Sequence, residues 1–145
     1  MTLRRRPTVA RHGTFPTTAD MGLWARGPEA SDLFEGLGLA LFASMTDLRK
    51  VRPRETRTVE RRADDPTALA VGFLSDLLQQ FAGEGFLVRQ LAVTVDPGLR
   101  RVRAELRGEP FDEARHSRGI EVKAITYHAA VVDPQGGRAR IVVDI

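Results

Sequence analysis

An α+β domain, two helices packed on mostly antiparallel β-sheet, is the fold this sequence predicts, and three features predict it. Residues 33–45 and 69–81 repeat large apolar side chains every three to four positions, the period of a helix. Residues 86–144 change to a period of two, interrupted by turn-forming clusters, as antiparallel hairpins do. With 145 residues, 42% of them hydrophobic, the chain fills the single core of one ordinary domain.

The first element expected is a short strand, GLWARG at 22–27, carrying Leu23 and Trp24. A helix follows from about Pro28 or Ser31. Proline suits a first helical turn, Glu29 and Asp32 suit the positive end of the helix dipole, and Ser31 is a candidate cap. Leu33, Leu37, Leu41 and Met45 form its buried stripe, widened by Phe34 and Phe42. Gly36 and Gly38 each cost such a helix up to about 1 kcal/mol against alanine, so packing must hold it.

ETRTVERR at 55–62 reads as a polar strand. Asp64-Asp65-Pro66 opens a second helix with Leu69, Phe73, Leu77 and Phe81 on one face, and Gly83 and Gly85 end it. FLVRQLAVTV and RVRAELRGE, joined by Asp96-Pro97-Gly98, form one hairpin. VKAITYHAAVV and RARIVVD, joined across residues 133–137, form another. No repeat or linker divides the chain. The expected organisation is a flexible basic arm at 1–12 and a single domain at 13–145.

The sequence pI of about 10.1 suggests a nucleic-acid binder, but the charge is unevenly placed. Arg4, Arg5, Arg6 and Arg11 give residues 1–19 a charge of +4, while the whole chain is +3, so residues 20–145 carry −1. The basic excess belongs to the arm, where a solvated terminus is the simplest reading and phosphate contact the sharper one.

Several function classes are excluded. There is no cysteine, hence no disulfide, zinc–thiolate site or thiol nucleophile. No stretch is long and apolar enough for a membrane span, and the arginines are not followed by the apolar run of a secretory signal. A cytoplasmic protein is expected. Phosphate-cradling, dinucleotide-binding and nucleophile-elbow motifs are absent. His12, His116 and His128 show no metal-ligand spacing, although His116 and His128 stay as secondary site candidates.

The carboxylates say more. Asp20 lies at the entrance to the first expected strand, and Asp144 ends the apolar run IVVDI, followed by Ile145. If these met, their crowded negative charge would need a lysine or a cation beside it, and an all-oxygen donor set favours Ca²⁺, Mg²⁺ or Mn²⁺ over zinc. Lys123 is one of two lysines, with Lys50, in a chain of 20 arginines. A compact ammonium in EVKAITYH is therefore a distinct chemical choice, or else an ordinary cross-strand partner for Glu121 or Glu105.

TADMGLWARG at 18–27, LALFASMTDLRKVRP at 39–53, LLQQFAGEGFLV at 77–88, GEPFDEARHSRGIEVKAITYH at 108–128 and the terminal Asp-Ile together resemble the archease family, over residues 15–145. EVKAITYH and the Asp-Ile ending are the most specific of these. Thr17 stands where the family usually has a histidine.

The resemblance implies a non-catalytic accessory protein in tRNA splicing or RNA repair. Its partner would be a GTP-dependent RNA ligase that joins 3′-phosphate or 2′,3′-cyclic phosphate ends to 5′-hydroxyl ends. The accessory protein would promote ligase guanylylation and multiple turnover, with RNA contacted only indirectly. The resemblance also implies a divalent-cation site at Asp20, Asp144 and Ile145, the last through chain-end oxygens and with Ca²⁺ the leading candidate, and a ligase-activating role for Lys123, Asp20 and Asp144. The alternative is a chaperone or specificity modulator of an RNA-modifying enzyme such as a tRNA methyltransferase.

Overall fold

The computed structural model describes residues 11–18 and 20–145. Most of the expected arm, with Arg4, Arg5 and Arg6, lies outside the described residues. The elements run β1 (His12–Pro16), β2 (Met21–Arg26), α1 (Ala30–Met45), β3 (Glu55–Arg62), α2 (Pro66–Ala82), β4 (Phe86–Val95), β5 (Arg101–Pro110), β6 (Ala124–Ile125), β7 (Val131–Asp133) and β8 (Arg138–Asp144), with one 3₁₀ turn at Leu48–Lys50. Both expected helices and both expected hairpins are present. The additional strand is β1, whose sequence HGTFP carries no alternating signal. The carbonyl of Arg11 accepts the Arg26 N–H at 2.7 Å, so sheet pairing already begins at the end of the segment expected as an arm.

All strand pairs are antiparallel. One sheet has the order β1-β2-β8-β6, with β7 also pairing with β8, and the other has the order β3-β5-β4. The helices form a layer between them. α1 packs on β1, β2 and β8 on one side and on β4 on the other, while α2 reaches β3, β4, β5, β6 and β7.

A helix placed between two sheets must be apolar nearly all round. Accordingly Leu33, Phe34, Leu37, Leu41 and Phe42 are fully buried, and Phe34 packs against Phe73 of α2 at a ring separation of 5.7 Å. The two glycines that weaken α1 in isolation are its points of closest approach. A Cβ on Gly36 would lie 2.8 Å from Ala25 of β2, and one on Gly38 would lie 2.6 Å from Leu91 of β4.

The helix starts follow from their caps. Asp65 accepts the Ala68 N–H at 2.8 Å ahead of Pro66, as the sequence suggests. For α1 the cap position is Glu29 rather than Ser31; its N–H donates to the Asp32 carboxylate at 2.9 Å. Polar β3 is held to α2 by side chains: Arg61 makes two hydrogen bonds to Asp76, at 2.7 and 3.0 Å.

Candidate functional site at one end of the five-stranded sheet

β2 and β8 share a ladder whose last rung is Met21 opposite Val143. Both side chains are buried in the core. Asp20 immediately precedes Met21 and Asp144 immediately follows Val143, so both aspartates adjoin the same rung at the same end of the sheet. Side chains alternate along a strand. Asp144 accordingly leaves the core side and is exposed, and Asp20 is half-buried.

Local chemistry fixes the turn that delivers Asp20. The Thr17 hydroxyl accepts the Asp20 N–H at 3.0 Å, and the Thr17 N–H donates to the Asp20 carbonyl at 3.3 Å. Thr17 closes the β1–β2 connection around the aspartate, a local side-chain-to-backbone bond of the kind threonine makes in turns.

Lys123 arrives from the other side of β8. Its N–H donates to the Asp144 carbonyl at 2.7 Å, and the next residue, Ala124, pairs with Asp144 in register. Two residues on, Thr126 donates both its N–H and its hydroxyl to the Val142 carbonyl, at 3.0 and 2.8 Å. That double attachment ends β6. The expected long strand VKAITYHAAVV is thus two short pieces separated by a bend in which Ala129 takes φ +51 and Tyr127 stands 62% exposed. Lys123 is exposed and makes no ion pair among the described residues, with Glu121 and Glu105 included.

Three of the candidate residues, Asp20, Asp144 and Lys123, therefore come from three neighbouring strand ends, and Ile145, 38% exposed, follows at the same edge. The donor set is small. Among the described residues no three His, Cys, Asp or Glu side chains converge on a point that could hold a metal ion. A cation here would have two side-chain carboxylates and would complete its shell with main-chain or chain-end oxygens and water. Such all-oxygen shells suit Ca²⁺, Mg²⁺ or Mn²⁺.

The two histidine candidates are placed elsewhere. His128 is exposed, and its N–H donates to the Thr126 hydroxyl at 3.3 Å. His116 is buried in a polar cluster the sequence reading did not identify. Its Nδ1 accepts the Asp112 N–H at 2.9 Å, which leaves the ring proton on Nε2, 3.0 Å from Glu109 Oε2. Glu109 also accepts the Arg52 N–H at 2.7 Å and a hydrogen bond from Arg115. Burial alone would push the Glu109 carboxyl up; Arg115, the Arg52 N–H and His116 outweigh it and hold the group at about 2.

The cluster anchors the connection from β5 to β6. A few residues later, Gly119 and Ile120 donate their N–H groups to the Met45 and Ser44 carbonyls, each at 2.8 Å, satisfying acceptors at the end of α1. Thr46 donates its hydroxyl to the Ser117 carbonyl at 2.8 Å. Val122 is then buried, which sets Lys123 on the exposed side. Segment 109–123 is a strap from one sheet across the end of α1 to the other. Its only sequence signal was GEPFDEARHS, whose glutamate follows an alternating strand in the phase of solvent-facing residues.

Among the described residues, no helix is long and apolar enough to cross a membrane. The sequence model of the Archease protein family matches residues 12–145. Protein archease from Thermococcus gammatolerans is 40% identical over 113 residues, covering 77% of this chain and 80% of that protein. The solution structure of Methanobacterium thermoautotrophicum protein 1598 superposes with a TM-score of 0.77 at 30% identity, covering 94% of this chain and all of the other. A Thermotoga maritima crystal structure described as an archease, possible chaperone, shares the fold at a TM-score of 0.62 and 16% identity, with both chains fully covered. A family match over the whole described domain, with relatives alike in sequence and in fold, leads to one assignment: the chain belongs to the archease family.

Proposed function

We propose that this protein activates a GTP-dependent RNA ligase by presenting Asp20, Asp144 and Lys123 to the ligase's nucleotide site. The observation that carries the reading is the convergence of these three residues, distant in sequence, at one exposed edge of the five-stranded sheet. Family membership supplies the partner class through the resemblance described above.

The aspartates, with the chain-end oxygens of Ile145, hold or hand over a divalent cation, which supplies charge neutralisation at phosphate oxygens. Lys123 steadies the nucleotide phosphates or a ligase carboxylate while GMP is loaded. This is electrostatic assistance to a partner's reaction, with no bond made or broken on this chain. Both groups stand on strand ends tied by main-chain hydrogen bonds, so they are held in place before the partner arrives.

The test is single-turnover GMP loading of the purified cognate ligase with GTP and Mn²⁺, with and without this protein. Addition is expected to accelerate covalent guanylylation and to permit repeated ligation. An unchanged loading rate and unchanged turnover would overturn the reading.

A further inference from the structure

The outer face of the five-stranded sheet carries, beyond the aspartate edge, a second chemical character. β1, β2 and β8 turn Phe15, Trp24, Arg26, Arg138 and Arg140 to this side, because their neighbours Leu23, Ala25, Ala139 and Ile141 fill the core. Both rings lie against the backbone. A Cβ on Gly22 would fall 1.9 Å from the Phe15 ring, and one on Gly13 would fall 2.9 Å from the Trp24 indole nitrogen. The two glycines are thus the floor on which the rings rest.

Guanidinium groups extend this surface. Arg140 stands 4.6 Å from the centre of the Phe15 ring and Arg26 stands 5.1 Å from that of Trp24. The register places Arg26 directly opposite Arg138, and Arg140 opposite Trp24. Like charges directly opposite on a sheet destabilise it. Counter-charge is sparse: the Arg138 guanidinium lies 3.7 Å from Asp133, whose carboxylate also accepts the Gly136 N–H, and Arg26 and Arg140 make no ion pair among the described residues. Between rings and arginines the surface dips into a hollow of about 300 Å³.

We infer that this face binds a short stretch of single-stranded nucleic acid. The arginines bind phosphates, and exposed bases stack on the guanidinium planes that lie over the Phe15 and Trp24 rings, as on other single-strand binders. A duplex keeps its bases stacked inside and offers phosphates alone; an acidic peptide has charge but no base to stack. Neither uses the aromatic floor. Asp144 lies four positions beyond Arg140 along β8, roughly 14 Å at strand rise, so a bound strand would lie within reach of the aspartate edge. The inference rests on the sheet face and is independent of whether a ligase is the partner.

Trp24 is the sole tryptophan, so its fluorescence reports on this surface in the full-length protein. Titration with a short oligouridylate at low salt is expected to quench it saturably, with affinity falling as salt rises. Arg26→Glu with Arg140→Glu should weaken binding at least about tenfold, since two phosphate contacts become repulsive. Arg4→Ser, Arg5→Ser and Arg6→Ser together should leave the quench in place. Should the Glu pair fail to fold, Arg26→Gln with Arg140→Gln is measured instead, with the same direction expected.

Fluorescence unchanged by the oligomer, or a quench that survives the arginine replacements, overturns the proposal. So does equal affinity for a duplex of the same sequence. A salt-sensitive change with an acidic peptide but none with the oligomer would identify the face as a protein-docking surface instead.

Discussion

The main-chain N–H of Lys123 is bonded to the carbonyl of Asp144 at 2.7 Å, immediately before Ala124 pairs with that aspartate in the last rung between β6 and β8. Neither Lys123 nor Asp144 can move away alone without breaking that bond. On the far side of β8, Asp20 is held to the same end by the Met21–Val143 pair. The candidate site is thus a property of sheet pairing, and each of its supports can be tested separately.

The first support is Thr17. Thr17→Ala removes the acceptor of the Asp20 N–H, which is near solvent, so the expected stability loss is small, about 0.5–1 kcal/mol. The expected functional loss is larger than that, because the turn presenting Asp20 loosens. Thermal unfolding and ligase stimulation measured on the same variant check this; a fall in stimulation that merely follows the loss of folded protein would contradict it.

A second prediction concerns acid. Glu109 is held at about 2, below its ordinary 4.5, so its contribution is fully present above pH 4.5 and is lost as the pH falls toward 2. Glu109→Gln should cost about 1–3 kcal/mol at neutral pH, because the Arg52 N–H and Arg115 lose their charged acceptor. The difference between wild type and variant should shrink through that acid window. Urea unfolding at several pH values measures it, and a gap independent of pH would be the contrary result.

Gly119 supplies a third. A side chain there would place Cβ 2.4 Å from the Ser44 carbonyl oxygen, so Gly119→Ala must lift the strap off the end of α1. An overpacking cost of about 1–3 kcal/mol is expected, and amide exchange should accelerate at Gly119 and Ile120 and carry on to Lys123. Exchange confined to the two strap residues would show that the strap does not position the lysine.

Much of this architecture was legible in the sequence because period and punctuation agreed. Asp65-Pro66 opens α2, Gly85 at φ +66 follows it, and Val102, Ala104 and Leu106 alternate inward as written. β1 was not legible, since Phe15 packs on a glycine across the sheet rather than into the core. The glycines of α1 read as a weakness in the sequence alone, whereas in the fold they let one sheet close on the helix at Gly36 and the other at Gly38.

Site residues divide in the same way. Asp20 and Asp144 stood out as carboxylates at expected strand ends, but only the resemblance joined them in one site, because nothing local reveals that residues 124 positions apart flank one rung. Glu109 escaped notice because alternation sends it outward, and only the folded strap and the Arg52 backbone bury it.

The central claim is that Asp20, Asp144 and Lys123 act together on a partner enzyme. Its most direct test is the rate of ligase guanylylation stimulated by Asp20→Ala, Asp144→Ala and Lys123→Ala, each shown to be folded by its thermal transition. The account predicts that each loses most of the stimulation, on the order of tenfold or more for a group that stabilises developing charge. Full stimulation by all three variants would contradict it.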